Sequence, residues 1–377
     1  MPVCRRWAYF DHAAVAPLPE PTRRAIVDWA EEAAVEGDTV WSRWERRIEE
    51  LRARLAGLLG AAADEIALVP NTTTGIHIVA EGFPWREGDR VVFPADEFPS
   101  NAYPWLNLRS RGVVAESIER PAGGWTTDAL LGACDRRTRL IAVSWVGFAS
   151  GWRIDLESLV SAAHERNILV FLDAIQGLGV FPLDLTSIPV DFLAADGHKW
   201  MLGPEGAGVL YVARRHLDRL RPLIAGWHSV VEAHDFSRLH WEPKPAAQRY
   251  EGGSQNMVGF TGLEASLRLL QQAGLDAHND RLARRVLDYA AEAGERLTAA
   301  GAVLVDPPPR AHASGIVGFR LPGHDPAEVQ RRCREAGIVL SVRAGRLRIS
   351  PHVYNNADDL ERLVDVLTRL RRQPRQG

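Results

Sequence analysis

The sequence predicts an α/β fold with a mainly parallel sheet flanked by helices, followed by a smaller C-terminal α+β domain. Two observations support this prediction. Between residues 65 and 212, short apolar runs of strand length alternate with helix-like patterns. From about residue 260, a long helical region gives way to short strand and helix patterns. Alternation of the first kind is typical of parallel sheets with helices on both faces.

The chain of 377 residues is long for a single core, so we expect more than one domain. The predicted parts are an N-terminal segment (1–20), a large domain (21–260) and a small C-terminal domain (261–377). The segment opens with AYFDHAAVAPLPEP, a short strand and a proline-rich loop, and residues 22–60 have helical spacing. The predicted strands of the large domain are EIALV (65–69), DRVVF (89–93), RLIAVSWV (139–146), ILVFLD (168–173), DFLAAD (191–196) and AGVLYV (207–212).

The small domain is predicted from a different pattern. An amphipathic helical region covers roughly 261–300, and the strand IVLSVR (338–343) is followed closely by RLRIS (346–350). We expect the last residues, RRQPRQG, to form a frayed tail. Strands near 302–305 and 315–320 and a helix near 325–336 are predicted between the helical region and IVLSVR, and a terminal helix is predicted after RLRIS.

The composition is close to that of an ordinary soluble globular protein. The net charge is −3, with 46% hydrophobic and 25% charged residues, and no basic stripe predicts nucleic-acid binding. No apolar run is long enough to span a membrane and no signal peptide is evident, so a cytoplasmic location without a membrane partner is the default. The three cysteines form no CxxC pair or disulfide framework, and no cluster predicts a metal site.

Lys199 lies at the centre of the stretch AADGHKWMLGPEGAG (194–208). The 45 lysines and arginines include only two lysines, Lys199 and Lys244. An ammonium group can lose its proton and attack carbonyl carbons, which a guanidinium cannot do. A lysine kept near the end of a buried strand therefore indicates Schiff-base chemistry, with a surface lysine as the alternative. Lys244 lies between two prolines and is expected in a solvated loop.

Asp173 closes the apolar run ILVFLD. A carboxylate at the carboxyl end of a parallel strand faces the crevice where ligands bind. It could hold a protonated ring nitrogen, which a pyridoxal phosphate ring needs in order to act as an electron sink. The alternative is a helix cap. Gln176, three residues later, could donate to a ring oxygen.

The stretch PNTTTGIHIVAEGF (70–83) has threonines before apolar residues at helical spacing. Hydroxyls and free N–H groups at a helix N-terminus favour phosphate binding, although N-capping by threonine is the alternative. Other nucleotide or hydrolase motifs are absent. GPEGAG (203–208) has the wrong spacing for a dinucleotide fingerprint, no GxxxxGK[ST] occurs, and GGSQN (252–256) is not a nucleophile elbow.

Arginines cluster near the C-terminus in RAGRLRISPHVYNN (343–356). Alternation along the strand would place Arg346 and Arg348 on one face, with Arg343 before the turn. A planar guanidinium is suited to clamp a substrate carboxylate. A solvated strand face is the alternative for at least one of the three.

Together these motifs resemble the class V aminotransferase family of pyridoxal-phosphate enzymes, which includes cysteine desulfurases, selenocysteine lyase, kynureninase and isopenicillin N epimerase. The resemblance covers nearly the whole chain, from YFDHAAVAPLP to LRISPHVYNN, through TTTG, DAIQG, GHKW with GPEGAG, and YEGGSQN. It implies pyridoxal phosphate as cofactor and fold type I, with a seven-stranded sheet. It also implies a homodimer with a shared active site, near which the N-terminal segment (1–20) would pack.

The resemblance also implies roles for individual residues. Lys199 would hold the cofactor covalently and remove the α-proton, and Arg348 would bind the carboxylate of a small amino-acid substrate. The implied cofactor-binding residues are Thr73 and Thr74 at the phosphate, Phe98 stacked on the ring, Asp173 at the ring nitrogen, Gln176 at the phenolic oxygen, His198 with its neighbour Asp196 near the phosphate, and Ser254 reaching the partner subunit's cofactor.

The sequence departs from the family pattern at three places. Phe98 stands where many desulfurases have a histidine that can move protons. Asp196 replaces the usual Ser or Thr, and would repel a phosphate unless it points away or binds a donor. Cys333 lies upstream of Arg348, as the catalytic cysteine of desulfurases does, but it falls within the helical pattern DPAEVQRRCREAG. Since a cysteine held in a helix cannot reach a substrate sulfur, persulfide-forming chemistry is not expected.

The expected function is that of a pyridoxal-phosphate enzyme acting on a small amino acid, with aminotransferase as the expected label. A β-lyase that cleaves C–S or C–Se bonds without a catalytic cysteine, or an epimerase, is the alternative. A protein of another class, binding the cofactor for regulation without turnover, is favoured by Asp196 alone. Lys199, Asp173 and Gln176 argue against it.

Overall fold

The computed structural model describes residues 1–372, so most of the C-terminal segment RRQPRQG, expected to fray, lies outside the described residues. The strands follow the predicted runs closely, except that the run IVLSVR (338–343) forms two short strands in different sheets, Ile338–Val339 and Ser341–Arg343. One was not predicted: Val114–Ile118, which has a partly exposed pattern with a central glutamate instead of a continuous apolar run. The strands are β1 (Ala8–Tyr9), β2 (Ile66–Val69), β3 (Arg90–Pro94), β4 (Val114–Ile118), β5 (Thr138–Ser144), β6 (Leu169–Asp173), β7 (Phe192–Asp196), β8 (Gly208–Val212), β9 (Val303–Leu304), β10 (Val317–Arg320), β11 (Ile338–Val339), β12 (Ser341–Arg343) and β13 (Arg346–Ile349).

The helices begin at recognisable caps. Asn71, Asp155 and Asp325 each accept a backbone N–H of the first turn with their side chains. The helical region predicted near 261–300 is two helices, because the chain breaks at Gly274, whose φ is +106°. The helices are α1 (Glu20–Glu36), α2 (Trp41–Leu59), α3 (Thr72–Gly82), α4 (Tyr103–Asn107), α5 (Thr127–Gly132), α6 (Leu156–Glu165), α7 (Met257–Gln272), α8 (Arg281–Ala299), α9 (Pro326–Glu335) and α10 (Ala357–Arg372).

A seven-stranded sheet forms the centre of the molecule, in the order β2-β8-β7-β6-β5-β3-β4. The five strands from β7 to β4 run parallel, whereas β8 is antiparallel to both of its neighbours. Strands β2, β7 and β8 are buried along their whole length. Burial on both faces explains their continuous apolar sequences, and it confirms the predicted α/β class with a mainly parallel sheet.

Two apolar cores cover the two faces of this sheet. On one face, α3 and α4 pack on the strands through Ile76, Val79 and Trp105. On the other face, α2, α6 and α7 pack on the strands around Leu55 and Leu263. The layered arrangement fixes the carboxyl ends of the parallel strands between helices, where ligands bind in such folds.

A four-stranded antiparallel sheet in the order β12-β13-β10-β9 lies towards the C-terminus, with α8, α9 and α10 packed around it. The N-terminal strand β1 does not belong to the large sheet; it pairs in parallel with β11. Helix α7 contributes to the core beneath the large sheet and contacts α1 and α2. The division at residues 20 and 260 stays a prediction. No helix within residues 1–372 is long and apolar enough to cross a membrane.

Candidate active site

A cavity of about 260 Å³ lies at the carboxyl ends of three neighbouring strands. Ser144, Asp173 and Asp196 are the last residues of β5, β6 and β7, and all three line it. The parallel register sets Ser144 beside Asp173 across two adjacent strands. The sheet therefore brings together polar groups that are far apart in sequence, at the edge where parallel α/β sheets bind ligands.

Lys199 follows β7 directly and its side chain lines the cavity with 8% of its surface exposed. Burial lowers the pKa of its ammonium to about 8, against the opposing attraction of the Asp173 carboxylate; the Arg348 guanidinium lowers it further. At neutral pH an appreciable fraction of the amine is unprotonated. The geometry therefore favours a nucleophilic lysine over the surface lysine that the sequence left open.

Asp173 is 2% exposed, and one carboxylate oxygen accepts the backbone N–H of Ile175 at 3.0 Å. Burial raises its pKa to about 6, with the Ile175 N–H and Lys199 acting in the opposite direction. This is the only hydrogen bond that the carboxylate forms within residues 1–372. A buried carboxylate with one partner, facing a cavity, is suited to receive a cationic group.

The amide of Gln176 is held in a fixed orientation beside the cavity. Its Nε2 donates to the carbonyl oxygen of Ala13 at 3.0 Å, and its Oε1 accepts from the indole Nε1 of Trp200 at 2.8 Å. One N–H of the amide remains for a ligand. Ala13, together with Ala14 and Val15, also lines the cavity, so the N-terminal segment contributes to the site.

Asp196 points one carboxylate oxygen at its neighbour but leaves the other buried. Its Oδ2 lies 3.0 Å from Nδ1 of His198. The contact lacks the alignment of a hydrogen bond, since His198 Nδ1 and Asp196 Oδ1 are both buried without a hydrogen-bond partner. Both residues line the cavity. The imidazole gives Asp196 the potential donor that its replacement of a hydroxyl requires.

The N-terminus of α3 opens onto the cavity through Thr72 and Thr73. Asn71 caps the helix by accepting the N–H of Thr74 at 2.8 Å, and the Thr74 hydroxyl also bonds to Asn71. Thr74 is therefore part of the cap and does not line the cavity. Thr73 donates to Ser100, whereas the Thr72 hydroxyl is buried without a partner. Of the two threonines expected at the phosphate, Thr73 therefore lines the cavity and Thr74 does not, and their role in phosphate binding stays a prediction.

Phe98 lies over the cavity, with its ring centroid 5.5 Å from Nζ of Lys199. Phe148 packs edge-on against it, at 5.3 Å between centroids. Phe98 is nevertheless 42% exposed. The phenyl ring is positioned to cover a flat ligand above Lys199, but it carries no group that transfers protons.

Arg348 is 1% exposed and all three of its nitrogens are engaged. Nε donates to Ser341 at 3.2 Å, Nη1 to the carbonyl oxygen of Phe148 at 2.7 Å, and Nη2 to Asp11 at 3.1 Å. Two N–H groups remain unused on the guanidinium, which lines the cavity. Asp11 is a residue that the sequence analysis missed, because a contact across 337 positions leaves no local pattern.

The other two arginines of the cluster diverge. Arg343 lines the same cavity and is half-buried, whereas Arg346 lies outside it and pairs with Asp306 at 3.4 Å. Arg346 and Arg348 are both on β13, two residues apart, but only Arg348 lines the cavity. Arg343 and Arg348 are therefore the two arginines of this cluster that line the cavity.

Ser254 lies apart from this cavity. It is exposed in a second cleft with Trp227 and Gln255, beside α2. Within one chain, Ser254 therefore contributes nothing to the cavity of Lys199. The partner-subunit role that the resemblance implied needs a second copy of the chain.

The three cysteines are also outside the cavity. Cys333 is fully buried in α9, where burial raises its thiol pKa to about 12. Cys134 donates to the carbonyl oxygen of Leu130, and Cys4 is exposed near the N-terminus. Between β12 and β13 there is a turn of only two residues. Within residues 1–372, no cysteine thiol therefore lies on a mobile lobe.

A second carboxyl, that of the partly buried Glu97, contacts Ser144 at the edge of the cavity. Glu97 accepts the backbone N–H of Ser144 at 2.6 Å and contacts its hydroxyl closely. Burial raises its pKa to about 8, and the nearby Asp173 adds to this. Sequence reasoning missed Glu97, since DEFPSN carries no periodic signal at this position.

The family model described as aminotransferase class-V matches residues 8–363 of the chain. A probable cysteine desulfurase of Methanothermobacter thermautotrophicus is 32% identical over 394 residues, covering 97% of this chain and 95% of the relative. The structure of a cysteine desulfurase from Thermococcus onnurineus aligns with a TM-score of 0.87 at 25% identity, over 98% of this chain and 96% of the other.

A third neighbour, C-DES, shares the fold at 21% identity. One of its structures has glycine covalently linked to the pyridoxal-phosphate cofactor and aligns with a TM-score of 0.90, covering 97% of both chains. Another is described as a complex of this cystine C–S lyase with its reaction product cysteine persulfide, with a TM-score of 0.89 over 97% of this chain and 98% of the other.

Proposed function

Because the chain belongs to the class V aminotransferase family of pyridoxal-phosphate enzymes, we propose that it is a β-lyase. It would release a sulfur- or selenium-bound substituent from a small amino acid without using a cysteine of its own. The observation that carries this proposal is a cavity that combines the Lys199 amine and the Asp173 carboxylate but is lined by no thiol among the described residues.

The residues of the cavity fit pyridoxal phosphate. Thr72 has a buried hydroxyl without a partner at the N-terminus of α3, where anions bind, and Thr73 lies beside it. Asp173 would hold the ring nitrogen, Gln176 the phenolic oxygen, and Phe98 the ring face. When bound, the cofactor supplies an electron sink for the electrons of the broken Cα–H bond.

Lys199 has two tasks in this proposal. Its lowered pKa makes the free amine available to hold the cofactor covalently. Once the substrate amine has displaced it, the same nitrogen takes the proton from the substrate Cα. His198 and Asp196 would lie near the cofactor phosphate, where their contact keeps the carboxylate turned towards the imidazole.

Arg348 would bind the substrate α-carboxylate with its two unused N–H groups. Asp11, Ser341 and the Phe148 carbonyl fix the plane of the guanidinium before the substrate arrives. This preorganisation reduces the entropy lost on binding. The cavity is small, which favours a small amino acid.

The names of the relatives favour the lyase alternative over the aminotransferase label that the sequence analysis placed first. A cystine C–S lyase and cysteine desulfurases are, by their names, enzymes that break a carbon–sulfur bond. The buried Cys333, with its raised pKa, favours direct release of the sulfur species over transfer to an enzyme thiol. The cytoplasmic location stays a prediction.

The reaction is tested on purified, cofactor-loaded enzyme with L-cysteine, L-cystine and L-selenocysteine in deuterated water. A lyase yields pyruvate and ammonium together with sulfide from L-cysteine, cysteine persulfide from L-cystine or selenide from L-selenocysteine. A keto acid that keeps its β-substituent would instead identify transamination, and deuterium at an inverted α-carbon would identify epimerisation. Reduction with borohydride should fix the cofactor covalently on Lys199. A Lys199→Arg variant treated in the same way should carry no covalently fixed cofactor.

We also propose a homodimer in which Ser254 reaches the cofactor phosphate of the partner. Support comes from its exposure in a cleft away from its own cavity, and from exposed apolar side chains on the neighbouring segment, among them Phe236 and Trp241. Light scattering should give twice the chain mass of 41.7 kDa. Mixing inactive Lys199→Ala and Ser254→Ala chains should restore part of the activity; a monomer that is fully active would refute the shared site.

A further inference from the structure

Arg343 is a cation that the protein leaves without a counter-ion beside the reactive lysine. It ends β12, at the two-residue turn before β13, and its side chain lines the cavity with Lys199. Its hydrogen bond goes to the carbonyl oxygen of its own neighbour, Val342, at 2.9 Å. Within residues 1–372 it forms no ion pair.

Arg348 differs from Arg343 in each of these respects. It is buried to 1% exposure, held by three contacts, and its charge is offset by Asp11. A fixed and neutralised guanidinium suits a group common to all substrates, the α-carboxylate. Arg343 is half-buried at the turn of the hairpin and therefore lies nearer to solvent. It is placed for a group that differs among substrates, the side chain.

The lining offers few other partners for a negative charge on that side chain. It contains no thiol or phenol, and the His198 imidazole faces Asp196. Lys199 is engaged with cofactor and substrate in the proposed reaction. The electrostatic influence of Arg343 reaches the reactive centre, since it contributes to the lowered pKa of Lys199.

We infer, on the basis of the proposed lyase function, that Arg343 binds the β-substituent of the substrate and stabilises the negative charge that this group carries as it leaves. The substrates would be amino acids whose β-substituent departs as an anion, such as a thiolate, persulfide or selenolate. A preformed cation aimed at charge that develops during the reaction stabilises the transition state more than the ground state.

The step balances with water as the only further reactant. The Cα proton passes to the Lys199 amine, and the electron pair of the Cα–H bond forms a double bond between Cα and Cβ. The bond from Cβ to the substituent breaks heterolytically, and the substituent takes both electrons and leaves as an anion. Arg343 pairs with that anion, and the unsaturated amine that remains is hydrolysed to pyruvate and ammonium.

The test compares leaving groups in the holoenzyme. Pyruvate release is measured for β-chloro-L-alanine, whose chloride is a stable anion, and for L-cysteine, whose leaving group holds its charge less readily. Arg343→Gln should lower kcat/KM about 100- to 1,000-fold for L-cysteine but less than about threefold for β-chloro-L-alanine. Arg343→Lys, which keeps the charge, should recover at least about tenfold of the loss.

Arg346→Gln is the matched control, because Arg346 lies opposite Arg343 on the neighbouring strand of the same hairpin but outside the cavity. It should leave both rates unchanged. Binding of L-alanine, followed by the absorbance of the cofactor, separates the α-carboxylate from the side chain. Arg343→Gln should change the Kd of L-alanine by less than about threefold.

Three outcomes overturn the inference. A tenfold weaker binding of L-alanine would place Arg343 at the α-carboxylate instead. Equal losses for both substrates, or no loss for either, would show that the charge does not act on the leaving group. If the wild-type enzyme binds L-alanine but releases pyruvate from neither substrate, the proposed lyase function fails and the inference falls with it.

Discussion

Replacing Asp173 with asparagine should make Lys199 a weaker base. The substitution keeps the shape of the side chain and removes the charge that most strongly favours the Lys199 ammonium. Burial has already brought the pKa of Lys199 down to about 8, against this attraction. An opposite charge at close range is worth about 1–3 pKa units. In the cofactor-free Asp173→Asn chain, the titration midpoint of Lys199 should therefore fall by about that amount. This corresponds to a loss of roughly 1–4 kcal/mol in the stabilisation of the Lys199 ammonium.

The midpoint can be measured by competitive acetylation of the cofactor-free protein between pH 5 and 11, with the two lysine peptides quantified by mass spectrometry. The chain is well suited to this assay, because Lys199 and Lys244 are its only lysines. Lys244 lies outside the cavity and serves as the internal reference. Asp196→Asn is the matched control, since Asp196 favours the ammonium less than Asp173 does.

The Asp196→Asn midpoint should fall by less than the Asp173→Asn midpoint, and Lys244 should be unaffected in both. A Lys199 midpoint that stays near pH 8 or rises in Asp173→Asn would refute the reasoning, since the carboxylate would then not stabilise the ammonium. Circular dichroism of each variant checks that the fold is intact.

Three further predictions concern stability and the buried thiol. Because the pKa of Glu97 is raised to about 8, its protonated form stabilises the fold fully below about pH 4.3, and this contribution is lost as the pH rises through about 8. From pH 5 to pH 9, the free energy of unfolding in urea should therefore fall further for the wild type than for Glu97→Gln, by on the order of several kcal/mol. Cys333→Ala should lower the free energy of unfolding by about 1 kcal/mol, measured in the same way, and leave sulfide release unchanged within about twofold; a tenfold slower release would restore the persulfide mechanism. Arg52→Met should cost about 3–5 kcal/mol in urea unfolding because it leaves Glu251 buried without its partner at 2.5 Å, and a loss below about 1 kcal/mol would contradict this.

Local patterns in the sequence determined most of the fold. Strands buried on both faces are continuous apolar runs, so all six predicted strands of the large sheet were found within one or two residues of their expected positions. The edge strand Val114–Ile118 escaped prediction because an exposed strand need not be apolar. The order of motifs from TTTG to RISPHVYNN was enough to identify the family and its cofactor, because the chemistry requires those residue types and the connectivity of the fold sets their order along the chain.

Only the tertiary structure decided which side chains meet in the cavity. A run of three threonines does not reveal that Thr74 turns back to bond to the capping Asn71 while Thr72 faces the cavity, because that depends on the orientation of one turn against the sheet. Neither does an arginine-rich hairpin reveal that Asp11, far away in sequence, neutralises Arg348, whereas Arg343 forms no ion pair within residues 1–372. Periodicity fixes which face of an element is apolar, whereas the partners of a buried charge are fixed by how distant segments pack.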